Sequence, residues 1–220
     1  MDAQQRDEQT ETTRLEAFSD GVFAVAITLL VLNLAVPRDA RGGLVPHLRE
    51  ALLEQWPVYL AYVLSFLTVL IMWVNHHALF QIIRRTDQAF MLLNGFLLLV
   101  VTALPFGTAV LAAYLQHPER KVAQVLYSGL LLLLTLTSNR MWSYAARDRR
   151  LLDPAATQER IQRLTRQYAL GPPVQSLAFV LAFVSAEVSL ALCILLSLFF
   201  ATPSAVTHSL VARLRGRDDR

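Results

Sequence analysis

The sequence contains a single cysteine, Cys193, among its 220 residues. A disulfide needs two thiols, so no intrachain disulfide can form, and one cysteine inside an apolar run gives no support to redox or metal chemistry. No glycine-rich phosphate loop, CxxC pair or HExxH motif occurs, and no repeat of helix length is visible. These absences argue against a nucleotide-driven pump, and they favour packing as the role of Cys193.

Charge is also scarce. Only 17% of the residues are charged and 55% are hydrophobic, whereas a soluble domain is about a quarter charged. Several uncharged runs approach the roughly 20 residues that cross a bilayer as a helix. The net charge of +3 could suggest a nucleic-acid partner, but the basic residues lie in short segments between apolar runs, as in the cytoplasmic loops of membrane proteins. We therefore predict an all-α, polytopic membrane protein that binds no nucleic acid.

The amino-terminal segment is polar and mixed in charge. Residues 1–17 lack the apolar core of a cleavable signal peptide, so we expect a cytoplasmic segment, disordered through about Thr10. The first apolar run covers residues 18–36 and is closed by Pro37.

The remaining apolar runs complete a transmembrane domain at residues 18–203. The last block, 171–203, would make a single helix near 50 Å long at about 1.5 Å per residue, too long for a hydrocarbon core of about 30 Å. Two short helices with a turn near Ser185 fit better, and they move Glu187 from mid-membrane to an interface. The predicted spans are 18–36, 56–80, 90–114, 122–142, 169–185 and 187–203.

Polar segments connect these spans. Residues 44–53 have mixed polarity and suit the membrane surface. Residues 145–168 read as a basic cytoplasmic connector, and residues 204–220 as a basic cytoplasmic tail. In the short loop after the second span, Asp87 stands beside Arg84 and Arg85, which predicts a surface ion pair worth under about 1 kcal/mol.

The distribution of basic residues predicts the orientation. Six spans place both termini on one side of the membrane. Of the 20 Lys and Arg residues, 15 fall on that side and five fall opposite, at Arg38, Arg41, Arg49, Arg120 and Lys121. Basic loops stay in the cytoplasm, so we expect a multi-pass membrane protein with both termini cytoplasmic.

The first span carries four strongly polar residues, Ser19, Asp20, Thr28 and Asn33. Ser19 and Asp20 can serve as helix caps, because their oxygens accept hydrogen bonds from free amides at a helix amino terminus. Alternatively they form a polar clamp with Arg14 and the second span, since a buried carboxylate needs partners.

Four residues of the same span form one stripe. Val25, Thr28, Leu29 and Leu32 follow the i, i+3, i+4, i+7 spacing of a helix face. Such a stripe usually packs against a neighbouring helix, and a threonine in it usually bonds to a carbonyl of the preceding turn. In a symmetric oligomer, copies of the stripe could instead meet on an axis and form an apolar constriction that gates conduction by dewetting.

Two adjacent histidines, His76 and His77, end the second span. They point about 100° apart on a helix and cannot hold one metal together. A structural histidine bonded to Asp20 or to the neighbours of Arg14 is the preferred interpretation, with His77 in that role, and its titration would couple the clamp to pH. The alternatives are a proton-coupled secondary transporter using Asp20 with His76 and His77, and a membrane enzyme or haem protein.

Residues 14–32, RLEAFSDGVFAVAITLLVL, closely resemble the opening helix of the prokaryotic transmembrane protein 175 family of potassium channels, whose signature is R-x-x-x-F-S-D-G. Residues 73–80, WVNHHALF, resemble the family pattern W-x-x-H-H-x-x-F. The resemblance implies a homotetramer of six-helix subunits, whose first helices line a potassium-permeable pore without a TVGYG filter. It also implies a channel rather than an enzyme, with no cofactor and no metal site, and with potassium as the permeating ion.

The resemblance assigns roles by position. Val25 would form the innermost constriction, Leu29 and Leu32 further apolar layers, and Thr28 a pore-facing hydroxyl linked to selectivity. A polar network of Arg14, Ser19, Asp20 and His77 would hold the inner mouth.

The sequence departs from the family pattern twice. Val25 replaces a common isoleucine and is one methylene smaller, which predicts a wider constriction. Asn33, at the outer mouth, stands where an acidic residue is frequent, which predicts weaker attraction of cations.

Overall fold

A computed structural model describes residues 3–39 and 42–201, with the side chains of the first helix described from Thr10 onward. Over these ranges the chain is all-helical and contains no β-strand, which confirms the all-α prediction. The tail expected at 204–220 lies outside the described residues. The helices are α1 (Ala3–Leu29), α2 (Leu48–Glu54), α3 (Trp56–Phe80), α4 (Gln88–Tyr114), α5 (Arg120–Ala146), α6 (Gln158–Ala182) and α7 (Ala186–Ala201), with 3-10 turns at Leu30–Asn33 and Arg147–Arg149.

Four described segments are long and apolar enough to cross a membrane. α7 is apolar but has only 16 residues, about 24 Å at 1.5 Å per residue. α6 begins with the polar stretch 158–168. The chain is therefore a polytopic helical membrane protein. The four segments are Thr10–Asn33, Trp56–Phe80, Gln88–Tyr114 and Arg120–Arg149.

The amino-terminal prediction was wrong: residues expected to be disordered through Thr10 belong to α1, which is helical from Ala3. This stretch contains Gln, Glu, Arg and Ala, and neither Gly nor Pro. Strong helix formers let a helix propagate from the membrane span at little cost per residue. Near the start of the first membrane segment, the Thr12 hydroxyl donates to the carbonyl of Arg84 at 3.2 Å.

The core lies where α5 packs against α4, α6 and α7. Among the largest fully buried side chains are Tyr127 and Trp142. Three hydroxyl groups of the core are paired with one another: Thr108 donates to Ser65 at 2.7 Å, and the Ser65 hydroxyl lies 3.0 Å from the Tyr127 hydroxyl. Lipid offers no hydrogen bonds, so such pairing is required inside a membrane, and here it ties α3, α4 and α5 together.

In the loop after α3, Asp87 is bonded to residues that the sequence did not predict, and Arg84 takes a different partner. Asp87 caps α4 by accepting from the Phe90 N–H at 2.9 Å, and its other oxygen accepts from Tyr144 and from Arg150, at 2.7 and 2.9 Å. Arg84 reaches Asp153 instead, at 3.7 Å. The connector after α5 packs against the α3–α4 loop. Residues of the connector, Arg150 and Asp153, therefore pair with Asp87 and Arg84 of the loop.

Partial burial favours the neutral form of the Asp87 carboxyl. The hydrogen bonds from Phe90 and Tyr144 and the charge of Arg150 outweigh that effect, so the pKa of Asp87 lies below its ordinary value.

α6 contains two consecutive prolines, Pro172 and Pro173. Pro172 has no N–H to donate to the carbonyl of Tyr168, four residues earlier. The Asn139 amide of α5 donates to that carbonyl at 2.9 Å. A side chain of the neighbouring helix thus replaces the lost backbone bond.

α6 and α7 are separated by residues 183–185. The Ser185 hydroxyl accepts from the Val188 N–H at 3.3 Å and donates to Glu187 at 2.8 Å. Glu187 also pairs with Arg120, at 2.7 Å, where both side chains are at least half exposed. The carboxylate at the start of α7 is thereby neutralised by the start of α5.

Candidate functional site

Helix α1 has two faces with different surroundings. Ser19, Phe23, Ala26 and Leu30, spaced four, three and four residues apart, are at most 1% exposed. They pack against α3 and α4. The opposite face of α1 is therefore the one that these two helices leave open.

That open face carries the four residues singled out in the sequence, Val25, Thr28, Leu29 and Leu32, which we call the α1 stripe. Val25 is 54% exposed, Leu29 40% and Leu32 74%. Thr28 is exposed as well, and its hydroxyl donates to the carbonyl of Val25 at 2.9 Å. The hydroxyl proton is thus used within the helix, while the oxygen keeps lone pairs that face outward.

A buried chain of hydrogen bonds joins α1 to α3 and α4. The Asn94 amide nitrogen donates to the Ser19 oxygen at 2.9 Å, and Ser19 donates to the Leu15 carbonyl at 2.8 Å. The Asn94 oxygen lies 2.8 Å from Nε2 of His76. Ser19, Asn94 and His76 are each at least 96% buried. A polar group in this position must be paired, so the three residues fix the register of the three helices.

Asp20 and His77 take other partners. Trp73 donates its indole N–H to Asp20 at 2.9 Å. The Trp73 ring stacks on His77, with 6.0 Å between centroids, and Nδ1 of His77 lies 2.9 Å from Glu16. Nε2 of His77 faces the side-chain amide of Gln81 at 3.1 Å. His77 therefore contacts a neighbour of Arg14 rather than Asp20, while Arg14 itself is exposed.

The two histidines serve separate clusters, as their 100° offset requires. His76 faces Asn94 in the interior, and His77 lies 46% exposed beside Glu16. Within the described part of the chain, no three His, Cys, Asp or Glu side chains come together in a way that could hold a metal.

Asn33 ends the 3-10 turn after α1. Its amide lies 3.4 Å from the carbonyl of Pro105 on α4, and its side chain is half-buried. Its described contact is thus with the α4 backbone.

Three residues of this region had no role in the sequence interpretation: Asn94, Trp73 and Glu16. Asn94 is a strongly polar residue within the apolar run 90–101, and that isolation is a signal of interior pairing. Trp73 stands in the quoted W-x-x-H-H pattern. Glu16 carried no signal beyond its place in α1, because its partner is 61 residues away.

The fold and the site define a helical membrane protein whose first helix is clamped on one face and open along an apolar stripe on the other. Comparisons with known proteins agree with the sequence resemblance. The family described as the endosomal/lysosomal potassium channel TMEM175 matches residues 14–105. The chain is 47% identical to the potassium channel Cha6605_3372 of Chamaesiphon minutus, over 90% of this chain and 97% of that protein. It is 44% identical to the potassium channel B446_29190 of Streptomyces collinus, over 86% of this chain and 91% of that protein.

A solved structure is also similar. The crystal structure of a lysosomal potassium-selective channel TMEM175 homolog from Chamaesiphon minutus superimposes with a TM-score of 0.78 at 45% identity, over 88% of this chain and 97% of that one. The chain belongs to the TMEM175 family, a family of ion channels rather than enzymes. Its similarity to bacterial relatives over nearly their full length makes it a prokaryotic membrane protein. The relatives are named as channels, so a proton-coupled transporter is not favoured.

Proposed function

We propose that this protein is a potassium-preferring channel of the inner (plasma) membrane, a homotetramer in which four copies of α1 surround a central pore. One observation carries the proposal: the α1 stripe is uncovered within the chain, while the opposite face of the helix is fully packed. In a protein that belongs to a channel family, we expect the α1 helices of the other subunits to cover such a stripe.

The proposed subunit has six spans, with α6 and α7 as the last two, and both termini in the cytoplasm. The excess of basic residues on the amino-terminal side supports this orientation. The ion pair between Arg120 and Glu187 supports the count of six spans, because it joins the start of α7 to the start of α5, as expected if α6 and α7 cross the membrane separately.

Conduction would proceed by partial dehydration of the ion. Rings of Val25, Leu29 and Leu32 offer no charge, so they form a barrier that opens by wetting rather than a binding site. Four Thr28 hydroxyl oxygens can face the axis between these rings. Their protons bond to the Val25 carbonyls, so their lone pairs can take the place of water around a cation. Preference for potassium would then come from Thr28.

The inner mouth would be held by the clamped face of α1. Ser19 binds Asn94 and Asp20 binds Trp73, which fixes the helix against α3 and α4. Arg14 lies exposed one turn before Ser19, at the proposed cytoplasmic end. Asn33 would mark the outer mouth, where a neutral amide gives little attraction to cations. No cofactor is needed, because potassium only passes through.

Planar-bilayer recording of the purified protein under opposed potassium and sodium gradients tests the proposal. We expect ohmic single-channel steps that reverse toward the potassium equilibrium potential. A flux that saturates with substrate and depends steeply on pH, without unitary steps, would reject a channel. Steps that do not discriminate between the two ions would reject the role given to Thr28.

A further inference from the structure

A crevice lies between α3, α5, α6 and α7, apart from the α1 stripe. It consists of two adjoining cavities of ≈ 70 Å³ each. They share Ile71, Met72, Thr135, Gly171 and Phe200. An engineered apolar cavity of about 150 Å³ in a protein admits benzene, so the combined space suits a small organic molecule.

The side chains that line the two cavities favour an uncharged ligand. Leu131, Leu134 and Leu196 provide apolar surface, and Thr68 and Gln175 provide uncharged polar groups. No charged side chain of the described residues lines either cavity. A buried ion would therefore lack a counter-charge, which is costly in a low-dielectric interior.

A third, much smaller cavity adjoins the crevice. Its volume is ≈ 10 Å³, and it shares Met72, Ser138 and Tyr168 with the second cavity. This is about the space of one water or one hydroxyl group. His76 lines it, is 4% exposed, and has an Nδ1 atom without a hydrogen-bond partner among the described residues.

The hydrogen bonds around His76 determine which ring nitrogen carries the proton, and so whether Nδ1 requires a donor or an acceptor. The Asn94 amide nitrogen donates to Ser19, so the Asn94 oxygen faces Nε2 of His76. That oxygen only accepts, so Nε2 carries the proton and Nδ1 of the neutral ring presents a lone pair. A hydrogen-bond donor of hydroxyl size satisfies it.

We propose that the crevice and the small cavity together form a binding site for a neutral alcohol. The alkyl chain occupies the crevice, and the hydroxyl group enters the small cavity and donates to Nδ1 of His76. Water would satisfy the histidine but leave the apolar walls uncovered. The alcohol can be a free alkanol or the hydroxyl end of a membrane lipid such as a diacylglycerol, and both present the same chemistry.

Cys193 provides a native reporter, since it is the only cysteine of the chain and lines the first cavity. The experiment measures the rate at which methyl methanethiosulfonate labels Cys193 in the full-length protein in lipid nanodiscs. We expect 1-pentanol to slow labelling several-fold and n-pentane, which has no hydroxyl, to slow it much less. Equal protection by both compounds, no protection by 1-pentanol, or a Cys193 that the small reagent never labels would each overturn the proposal.

Two sets of variants separate binding from changes in the bilayer. Leu195 is on the same helix and 63% exposed, so Leu195→Cys in a Cys193→Ser background reports on the lipid-facing side, and 1-pentanol should leave its labelling unchanged. Gly171→Leu should fill the crevice, slowing labelling of Cys193 and removing the alcohol effect. Gly171→Ala is the matched control, because its Cβ would lie 3.6 Å from Thr135, an ordinary contact, and it should keep the alcohol effect.

Nanodiscs with and without diacylglycerol distinguish the two sources of the hydroxyl group. Slower labelling with diacylglycerol identifies the lipid, and protection by 1-pentanol alone identifies a free alcohol. The site does not depend on ion conduction, because the readout is thiol labelling rather than current.

Discussion

At the residue scale, Thr28 and Asn94 show how the two faces of α1 use polar groups. The Thr28 hydroxyl donates its proton to the Val25 carbonyl, and the side chain is exposed. Asn94 uses both ends of its amide in the interior, on Ser19 and on His76. The first arrangement leaves an oxygen for a ligand, and the second fixes the helix in place.

We expect Thr28→Ala to reduce the preference for potassium over sodium, because it removes the hydroxyl oxygens from the proposed pore. Thr102→Ala is the matched control: Thr102 is also exposed, and its hydroxyl donates to a carbonyl three residues earlier at the same 2.9 Å. Reversal potentials under opposed potassium and sodium gradients give the answer. An equal shift in both variants would count against a pore-facing Thr28.

Asn94→Leu should destabilise the fold. It leaves the Nε2 atom of His76 without its partner and the Ser19 oxygen without its donor, and a buried polar group left unpaired costs about 1–3 kcal/mol. Thermal unfolding in detergent measures the loss. Leu92→Ala, at a 68% exposed position of the same helix, should change the midpoint much less, and a comparable drop would contradict the role of Asn94.

The sequence predicted this region unevenly, for physical reasons. The α1 stripe follows from helical spacing, which is local. The partners of Asp20 and His77 depend on how α1, α3 and α4 pack, and residues 53 and 61 positions apart meet only after folding. Periodicity identifies a face of a helix but not the side chain that comes to lie against it.

At the element scale, α6 depends on α5 for its continuity. Pro172 removes a backbone donor, and Asn139 replaces it. The sequence predicted a turn near Ser185 from the length of an apolar run, and the structure ends α6 at Ala182 and begins α7 at Ala186. Length predicts such a break, whereas compensation between two helices needs the three-dimensional arrangement.

Asn139→Ala should destabilise the protein by about 1–3 kcal/mol, since the Tyr168 carbonyl loses its donor. In a Pro172→Ala background the same substitution should cost much less, because the new backbone N–H can donate to that carbonyl. A double-mutant cycle from thermal or chemical unfolding measures the coupling. Additive effects would show that Asn139 does not act through this carbonyl.

Asp87 provides a pH test of the α4 cap. Its pKa is lowered in the folded state, so its contribution to stability is fully present above the ordinary carboxyl pKa of about 3.9. That contribution is lost as the pH falls through the folded value. Asp87→Ala should lower stability by about 1 kcal/mol at neutral pH through loss of the cap.

The difference between wild type and Asp87→Ala should shrink on acidification below about pH 4. Asp87→Asn keeps an acceptor for the Phe90 N–H without the charge, so it separates the cap from the ion pair with Arg150. Unfolding midpoints of wild type, Asp87→Ala and Asp87→Asn across pH measure the contributions of the cap and of the ion pair. A gap between wild type and Asp87→Ala that stays constant down to low pH would contradict a contribution from the ionised carboxylate.

At the scale of the whole molecule, the chain leaves much apolar surface for lipid or for other copies. The α1 stripe is one part of it, and exposed leucines of other helices such as Leu92 and Leu195 are another. Family membership makes a shared axis the better explanation for the stripe.

Mixed channels test that axis. Val25→Asn should raise conductance, because a polar ring at the proposed innermost constriction is easier to wet. When wild type and Val25→Asn are reconstituted together, each channel contains a different number of variant subunits. The number of unitary conductance levels should therefore be at least one more than the number of subunits around the pore. Only the two parental classes would show that each conducting unit contains a single copy of α1.

The continuity of α1 has a mechanical consequence. Its 27 residues run without a break from Ala3 to Leu29, and an α-helix is stiff over the resulting distance of about 40 Å. The contact of the Thr12 hydroxyl with the carbonyl of Arg84 lies between the two ends of this helix. Further along the same helix, Ser19 and Asp20 are bonded to Asn94 and Trp73, so a load on the first turns of α1 would pass to α3 and α4 before it reached Val25.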